Sequence, residues 1–311
     1  MMIRIGSRGS ALALAQAGWV KQRLEEKHSG LRVEIVIIKT SGDRFLNSPI
    51  KAIGGKGIFV KEIEEALLRK EIDLAVHSMK DLPTEIAAGL TIAVVPERED
   101  ARDVLVSAAR SSLKELPAGA RIGTGSLRRR AQLLYCRADL EVLPIRGNID
   151  TRLRKMDQGE VDALVMAAAG LKRLGLEGRV SEYLPPETCL GAVAQGALAL
   201  ESRDNDPVIE SVAFLDHPPT ALEVTAERSF LKRMGGGCQL PVGARAWIGG
   251  DKLRLMGVVA DPDGRRLFRE ELEGRAEQPE RLGQTLAERL LTLGADEVLG
   301  LESRSSARGA R

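Results

Sequence analysis

Short apolar runs alternate with segments of helical periodicity through the first two thirds of the chain. Such alternation predicts a parallel or mixed sheet flanked by helices. The first runs with the length of buried strands are Ile3 to Ile5, Val33 to Ile38, Leu74 to Val76 and Leu90 to Val95. Apolar residues recur with helical spacing in Ala11 to Lys27 and in Val60 to Arg69. A first α/β unit therefore ends near Pro96.

A polar stretch without apolar periodicity, Pro96 to Asp103, separates this unit from a second one. The predicted strands of the second unit are Val104 to Ser107, Arg121 to Gly123, Glu141 to Ile145 and Ala163 to Ala167, and helices are predicted after Ser126 and after Asn148. A further helical pattern, Ala197 to Leu215, either caps the second unit or returns to the first.

The last third of the chain has a different pattern. An amphipathic helix, Ala221 to Met234, is followed by a glycine-rich loop. The next segments are typical of a three-stranded antiparallel meander, namely Arg245 to Ile248, Lys252 to Ala260 and Arg265 to Leu272. A helix from Pro279 to Leu293 would cover that sheet, and residues 303–311 are predicted to be disordered. The predicted fold class is α/β, with two α/β units and a small α+β C-terminal unit.

The composition fits a globular protein of two or three domains. The chain has 311 residues, of which 43% are hydrophobic and 29% charged. No apolar run approaches the roughly 20 residues of a membrane helix, and the pattern of the N-terminal residues predicts no secretory signal. Three widely spaced cysteines favour a reducing compartment, so a cytoplasmic location is expected. Neither CxxC nor HxxxH spacing is present, so no metal is expected.

Positive charge is concentrated in one part of the chain. The net charge is only +2, but the segment from Arg121 to Lys155 contains nine Lys or Arg residues and only three acidic residues. Guanidinium groups bind carboxylates and phosphates in a bidentate manner, so this segment predicts an anionic ligand. Nucleic acid is not the expected ligand, because aromatic residues for base stacking make up only 3% of the chain.

Two basic motifs lie where a predicted strand runs into a helix. They are GTGSLRRR, Gly123 to Arg130, and RGNIDTRLRK, Arg146 to Lys155. Free amides at a helix N-terminus together with arginines make an anion site. Because the carboxyl ends of parallel strands meet at one sheet edge, both motifs are predicted to face one cleft. The alternatives are an ordinary capped helix with a solvated basic face and two unrelated surface patches.

Two further motifs carry groups suited to chemistry. HSMKDLP, His77 to Pro83, places Lys80 and Asp81 at the end of a buried strand, where a carboxylate can stabilise a developing cation. The alternative is polar turn chemistry. GGGCQLPVG, Gly235 to Gly243, can present the thiol of Cys238 on a pliable loop, although free cysteines are more often buried apolar residues, as expected for Cys136 and Cys189.

Taken in order, these motifs resemble hydroxymethylbilane synthase, also called porphobilinogen deaminase. The resemblance spans nearly the whole chain and rests on GSRGSALALAQ, GGKGIFVKEIE, AVHSMKDLP, GTGSLRRRAQL, RGNIDTRL, AAAGLKRLG, AQGALALE and GGGCQLPVG. It implies a transferase that joins four porphobilinogen molecules head to tail, releasing ammonia and hydroxymethylbilane in tetrapyrrole (heme) biosynthesis. It also implies a dipyrromethane cofactor, attached by a thioether to Cys238, and Asp81 as the catalytic residue.

The resemblance further implies a fold and a set of site residues. Two periplasmic-binding-protein-like α/β domains, residues 1–98 plus 197–216 and residues 99–196, form a cleft, and residues 217–302 form the third domain. The cofactor-binding residues implied, besides Cys238, are Ser78, Lys80, Thr124, Ser126, Arg128, Arg129, Gly147, Arg152 and Gln195. The substrate-binding residues implied are Arg8, Ser10, Phe59, Arg146 and Arg173.

Two alternatives to this enzyme are a two-lobed receptor or regulator domain that traps anions without catalysis, and a nucleic-acid-binding protein. A receptor would carry no covalent dipyrromethane. A monomer is expected, with porphobilinogen as the small-molecule partner and neither nucleic acid nor membrane.

Overall fold

Three β-sheets organise the residues that the structure, a computed structural model, describes: 2–41, 60–236 and 240–300. The strands of the first sheet, in spatial order, are β2 (Arg32–Ile37), β1 (Met2–Ser7), β3 (Leu74–Ser78), β10 (Leu198–Arg203) and β4 (Leu90–Val94). Strands β2, β1 and β3 are parallel, whereas β10 runs antiparallel to both of its neighbours. The sheet is therefore mixed, as the alternating pattern allowed.

Helices cover both faces of this sheet. Helix α1 (Ala11–Lys27) buries Val20 and Leu24 against the strands, and α2 (Lys61–Leu68) buries Ile63 and Leu67 on the other face. A short helix, α6 (Val208–Val212), and a 3₁₀ turn (Ala213–Leu215) complete the first face.

The predicted helix from Ala197 to Leu215 is wrong in its first half, where the structure has strand β10. The sequence of this segment is rich in Ala, Leu and Glu, which favour helices. In the fold, however, Leu198 and Leu200 enter one core while Ala199 and Glu201 are buried on the opposite face. This alternation has the period of a strand, and pairing of β10 with β3 on one side and β4 on the other outweighs the local helix preference.

The second sheet has the spatial order β7 (Glu141–Leu143), β6 (Arg121–Gly123), β8 (Ala163–Ala167), β5 (Asp103–Ser107) and β9 (Glu182–Tyr183). Strands β7, β6 and β8 are parallel, and β5 is antiparallel to β8. Each parallel strand leads into a helix; these helices are α3 (Leu127–Cys136), α4 (Ile149–Asp157) and α5 (Ala168–Arg173). The strand ends that precede these helices therefore share one edge of the sheet.

The third sheet is the predicted antiparallel meander of β11 (Val242–Gly249), β12 (Lys252–Ala260) and β13 (Leu267–Arg275). Helices α7 (Pro218–Arg233) and α8 (Pro279–Leu290) pack on it through Phe230, Leu286 and Leu290, which are fully buried. Helix α8 ends three residues before the predicted boundary, and a π-helical turn (Leu291–Ala295) leads to α9 (Asp296–Leu299). The tail predicted to be disordered lies outside the described residues. Among those described, no helix is both long and apolar enough to span a bilayer.

Two chain segments cross between the first and second sheets, residues 95–102 and 191–197. They approach so closely that a side chain on Gly196 would lie 2.3 Å from the carbonyl oxygen of Glu99, and Gly196 has a φ of +89°. Arg98 in the first segment donates to both carboxylate oxygens of Glu227 on α7, at 2.6 and 3.0 Å. The third unit is thereby fastened to the crossing point.

Candidate active site

A cleft of about 440 Å³ lies between the first and second sheets, at the carboxyl ends of their parallel strands. The predicted site residues that line it are Arg8, Ser10, Ser78, Lys80, Asp81, Ser126, Arg129, Arg146, Gly147, Arg152 and Arg173. The two basic motifs therefore share one cleft with the His77 to Pro83 motif. The alternative of two unrelated basic patches is excluded by this arrangement.

The strand-to-helix corners of the second sheet build one wall. Ser126 caps α3, its Oγ accepting a hydrogen bond from the Arg129 amide at 3.4 Å. At the next corner, Arg152 Nε donates to the Gly147 carbonyl oxygen at 2.7 Å. Gly147 has a φ of +110°, and a Cβ there would lie 2.7 Å from Thr151 Cγ2, so the corner requires glycine.

The corners of the first sheet build the opposite wall. Ser10 caps α1 by accepting from the Ala13 amide at 3.3 Å. Strand β3 ends at Ser78, whose hydroxyl exchanges hydrogen bonds with the side-chain amide of Gln16 at 2.8 and 3.2 Å. A 3₁₀ turn (Met79–Asp81) then brings Lys80 and the exposed Asp81 into the cleft. Gln16 also lines the cleft but was not predicted, because nothing in a helical repeat marks it as functional.

The cleft is strongly cationic. Its lining includes six Lys or Arg side chains and two carboxylates, those of Asp81 and Asp150. Desolvation lowers the pKa of Lys80 from the ordinary lysine value to about 8, because Asp81 and Asp103 only partly offset burial and the neighbouring arginines. Burial and the charge of Arg129 lower the pKa of Arg152 to about 10. A cluster of partly buried cations in a cleft with few carboxylates favours an anionic ligand.

Three predicted site residues lie behind the lining. Thr124 Oγ1 accepts from the Ser126 amide at 3.2 Å. The Arg128 guanidinium is buried and donates to Asp103 at 2.7 Å and to the Leu190 carbonyl oxygen. Gln195 is buried between Asp103, at 2.9 Å, and Lys80, at 3.4 Å. These three residues support the wall from behind, and their roles toward a cofactor stay predictions.

Several of the basic residues between Arg121 and Lys155 form ion pairs with carboxylates of the protein itself. Arg121 pairs with Asp162 at 2.7 Å, and Arg137 pairs with Asp139 at 2.6 Å. Of the basic residues in the two motifs, Arg129, Arg146 and Arg152 line the cleft. The prediction of an anionic ligand therefore applies to the cleft and stays a prediction, and the count of positive residues in the segment overstated the charge that reaches the cleft.

The cysteines differ in their suitability for covalent chemistry. Cys189 is buried as expected, and burial raises the pKa of its thiol to about 12. Cys136 is exposed, contrary to expectation, and ends the helix whose N-terminus faces the cleft, about 15 Å away along the axis. Cys238 and Phe59 lie outside the described residues. Gly236, two residues before Cys238, lies near Thr84, since a Cβ there would be 3.5 Å from Thr84 Oγ1.

Helix α7 is tied to the segment that carries Asp81. Arg228 donates to the carbonyl oxygens of Leu82 and Pro83, at 3.4 and 2.6 Å, and Lys232 pairs with Glu85 at 3.2 Å. The glycine loop thus starts beside the chain segment that follows Asp81. In the same described ranges, no group of three or more His, Cys, Asp or Glu side chains is arranged to hold a metal ion.

Fold and site together define an α/β protein with a cationic, two-walled cleft. Residues 3–211 match the family model "Porphobilinogen deaminase, dipyromethane cofactor binding domain", and residues 221–292 match "Porphobilinogen deaminase, C-terminal domain". The chain belongs to the porphobilinogen deaminase family. The family predicted from the motifs is thereby confirmed, and with it the transferase class and the dipyrromethane cofactor.

Curated relatives agree over nearly the full length. The porphobilinogen deaminase of Pelobacter propionicus is 53% identical over 298 residues, covering 96% of this chain and 96% of the relative. That of Geobacter sulfurreducens is 52% identical, covering 96% of this chain and 93% of the relative.

Solved structures with a weaker likeness include the alkanesulfonate-binding protein SsuA from Xanthomonas axonopodis pv. citri, with 18% identity, a TM-score of 0.35 and 75% of each chain covered. The effector-binding domain of BenM with benzoate has 15% identity and a TM-score of 0.40, covering 68% of this chain and 90% of that one.

Proposed function

We propose that this chain joins four porphobilinogen molecules head to tail in the cleft and releases four ammonia molecules. One water cleaves the finished chain from the protein and becomes the hydroxyl group of hydroxymethylbilane. The observation that carries the proposal is the placement of Asp81 in a cleft lined by six cations. Porphobilinogen carries acetate and propionate groups and a protonated aminomethyl group. A product chain of such rings accumulates carboxylates while positive charge develops at its reacting pyrroles. The cleft offers cations that can bind the accumulating carboxylates and a carboxylate that can stabilise the positive charge on the pyrroles.

We assign Asp81 to the reacting pyrroles. In each condensation, the bond between the methylene carbon and nitrogen of porphobilinogen breaks and ammonia leaves. The methylene carbon then bonds to the free α-carbon of the neighbouring pyrrole, and that α-carbon loses its proton. Both rings pass through forms with positive charge on the ring nitrogen. An exposed carboxylate at a fixed position in the cleft stabilises that charge.

We assign the basic residues to the carboxylates of the substrate. Arg8 follows β1 of the first sheet, whereas Arg146 and Arg152 follow β7 of the second, so the cleft has arginines from both walls that can bind the acid side chains of a pyrrole. Arg173 is oriented by its hydrogen bond to the Gly196 carbonyl oxygen at 2.7 Å. Charge-assisted hydrogen bonds of this kind are worth about 1.5–3 kcal/mol each.

The dipyrromethane cofactor fits the same residues, because it is made of two rings with the same acid side chains. It supplies the terminal pyrrole carbon to which the first porphobilinogen is joined. We propose Cys238 as its attachment residue: the Cys189 thiol is buried and Cys136 is remote from the cleft, whereas the loop before Cys238 starts near Thr84.

The three sheets support the proposed division into domains, with residues 197–216 returning to the first and residues 217–302 forming the third. We also propose that the protein acts as a cytoplasmic monomer without nucleic-acid or membrane partners. These last proposals rest on cysteine usage and composition.

The direct test is to incubate the purified protein with porphobilinogen and to follow substrate and ammonia together. The proposal predicts one ammonia for each porphobilinogen consumed, with the linear tetrapyrrole as the released product. Binding of porphobilinogen without release of ammonia would instead identify an anion receptor built on the same two-walled cleft.

A further inference from the structure

Asp103 is a buried carboxylate directly behind the cleft. It is the first residue of β5, where the crossing segment enters the second sheet, and it has 0% exposure. Asp103 is the last residue of the polar stretch Pro96 to Asp103, so the pattern of apolar residues gives no reason to expect it in a core. A charge in this position is retained only where it is paired and hydrogen-bonded.

The two oxygens of Asp103 organise different groups. Oδ1 accepts from Arg129 Nε at 3.1 Å, from Arg129 Nη2 at 2.7 Å and from Gln195 Nε2 at 2.9 Å. Oδ2 accepts from Arg128 Nη1 at 2.7 Å and from the Cys189 thiol at 3.3 Å. Burial alone would raise the pKa of Asp103, but the two arginines hold it well below the ordinary aspartate value. Asp103 is therefore a permanent negative charge.

These contacts fix Arg129 in one orientation. Besides the two bonds to Asp103, its Nη1 donates to the Val165 carbonyl oxygen at 3.2 Å. An arginine held from behind at Nε, Nη1 and Nη2 loses its rotamer freedom before a ligand arrives, which reduces the entropic cost of binding. Gln195 is held in the same way and in turn accepts from Lys80 Nζ at 3.4 Å. Asp103 thus reaches both walls of the cleft through side chains that are already in place.

We propose that Asp103 is a positioning residue, which holds Arg129 in the geometry that binds a carboxylate of the pyrrole substrate and supports Lys80 through the buried Gln195. The proposal rests on the function proposed above. Asp103 itself touches no substrate. Its contribution is expected in substrate affinity, whereas removal of Asp81 is expected to slow the chemical step.

The test compares Asp103→Asn with a matched control, Asp162→Asn. Asp162 also accepts from the Nε and Nη2 of one arginine, Arg121, at 3.2 and 2.7 Å, but at the opposite edge of the same sheet. In steady-state assays with porphobilinogen, Asp103→Asn should raise KM about tenfold, the equivalent of about 1.4 kcal/mol, with a smaller change in kcat. Asp162→Asn should leave KM within about twofold of the unaltered protein.

A double-mutant cycle separates positioning from general destabilisation. If Asp103 acts through Arg129, adding Asp103→Asn to Arg129→Gln should raise KM by less than about twofold, because the group being positioned is already gone. A tenfold rise in both backgrounds would overturn the proposal. So would an unchanged KM in folded Asp103→Asn while the unaltered protein turns over porphobilinogen normally.

Two outcomes keep the tests distinct. If the unaltered protein releases no ammonia from porphobilinogen, the proposed function fails, whatever Asp103 does. If Asp103→Asn cannot be recovered folded, Asp103→Glu decides, since it keeps the charge and displaces the carboxylate by one methylene. A raised KM in that folded variant supports positioning, and an unchanged KM overturns it.

Discussion

Asp81 combines a central place in the cleft with little involvement in the fold. Within residues 2–41, 60–236 and 240–300, its carboxylate takes part in no hydrogen bond or ion pair, and the residue is exposed. Asp81→Asn keeps the shape of the side chain and removes its charge. We expect turnover to fall at least about a hundredfold, a loss of roughly 2.7 kcal/mol in transition-state stabilisation, with thermal unfolding unchanged. Steady-state kinetics and a melting curve on the same preparation check this.

Either of two results would count against this role for Asp81. Turnover close to that of the unaltered protein would mean that another group stabilises the cation. A fall in melting temperature that accounts for the lost activity would mean that Asp81 serves the turn at the end of β3 instead.

The pKa of Lys80 predicts how substrate binding in the cleft changes with pH. Its pKa is about 8, so it is charged below that pH and neutral above it. If it binds a substrate carboxylate, KM should rise with pH through about 8, and by at most tenfold per pH unit. The effect on stability has the opposite sign: the charged lysine is costly to bury, so this contribution improves as pH rises from about 8 toward the ordinary lysine pKa.

The control for this titration is Lys80→Arg, which remains charged over the whole range. The variant should lack the rise in KM near pH 8. The same rise in Lys80→Arg would assign the titration to another group, and a flat KM in the unaltered protein would remove Lys80 from substrate binding.

At the scale of single elements, the strand-to-helix corners were the most predictable part of the site. Glycines, a capping serine and arginines after a buried run define such a corner in sequence, and the corners at Ser126 and Arg146 do meet in one cleft. The direction of each arginine could not be predicted. Successive helix residues point about 100° apart. Arg128 contacts Asp103 from behind the cleft, Arg129 contacts Asp103 and also lines the cleft, and Arg130 reaches Asp263 on the β12–β13 turn.

The partners that decide these directions are distant in sequence. Asp103 precedes Arg128 by 25 residues, and Asp263 follows Arg130 by 133. The local sequence pattern does not indicate contacts between residues so far apart in the chain. For the same reason, β10 was predicted as a helix. The antiparallel neighbours that make Leu198–Arg203 a strand belong to the first sheet, more than a hundred residues earlier in the chain.

At the scale of the whole molecule, the two crossing segments, residues 95–102 and 191–197, connect the first two units and contact the third. Gly196 lies at their closest point and also supplies the carbonyl oxygen that orients Arg173. Gly196→Ala would combine an unfavourable φ with a clash against the Glu99 backbone. We expect it to lower the free energy of unfolding by more than about 2 kcal/mol, measured by urea titration.

Gly159→Ala is the matched control, because Gly159 has a φ of +78° with open space where a Cβ would lie. Gly159→Ala should lower the free energy of unfolding by only about 1 kcal/mol, the cost of holding alanine at a positive φ. Equal losses in the two variants would show that the segments can separate without penalty, and the crossing would then not be a rigid junction.

The central claim, a covalent dipyrromethane on Cys238 in a cationic cleft, is tested most directly by intact-protein mass. The purified chain should exceed its calculated mass by one dipyrromethane, and Cys136→Ala should keep the same excess. Cys238→Ala should have its calculated mass and almost no activity. A dipyrromethane that persists in Cys238→Ala, or an unaltered protein of unmodified mass that still polymerises porphobilinogen, would contradict the account.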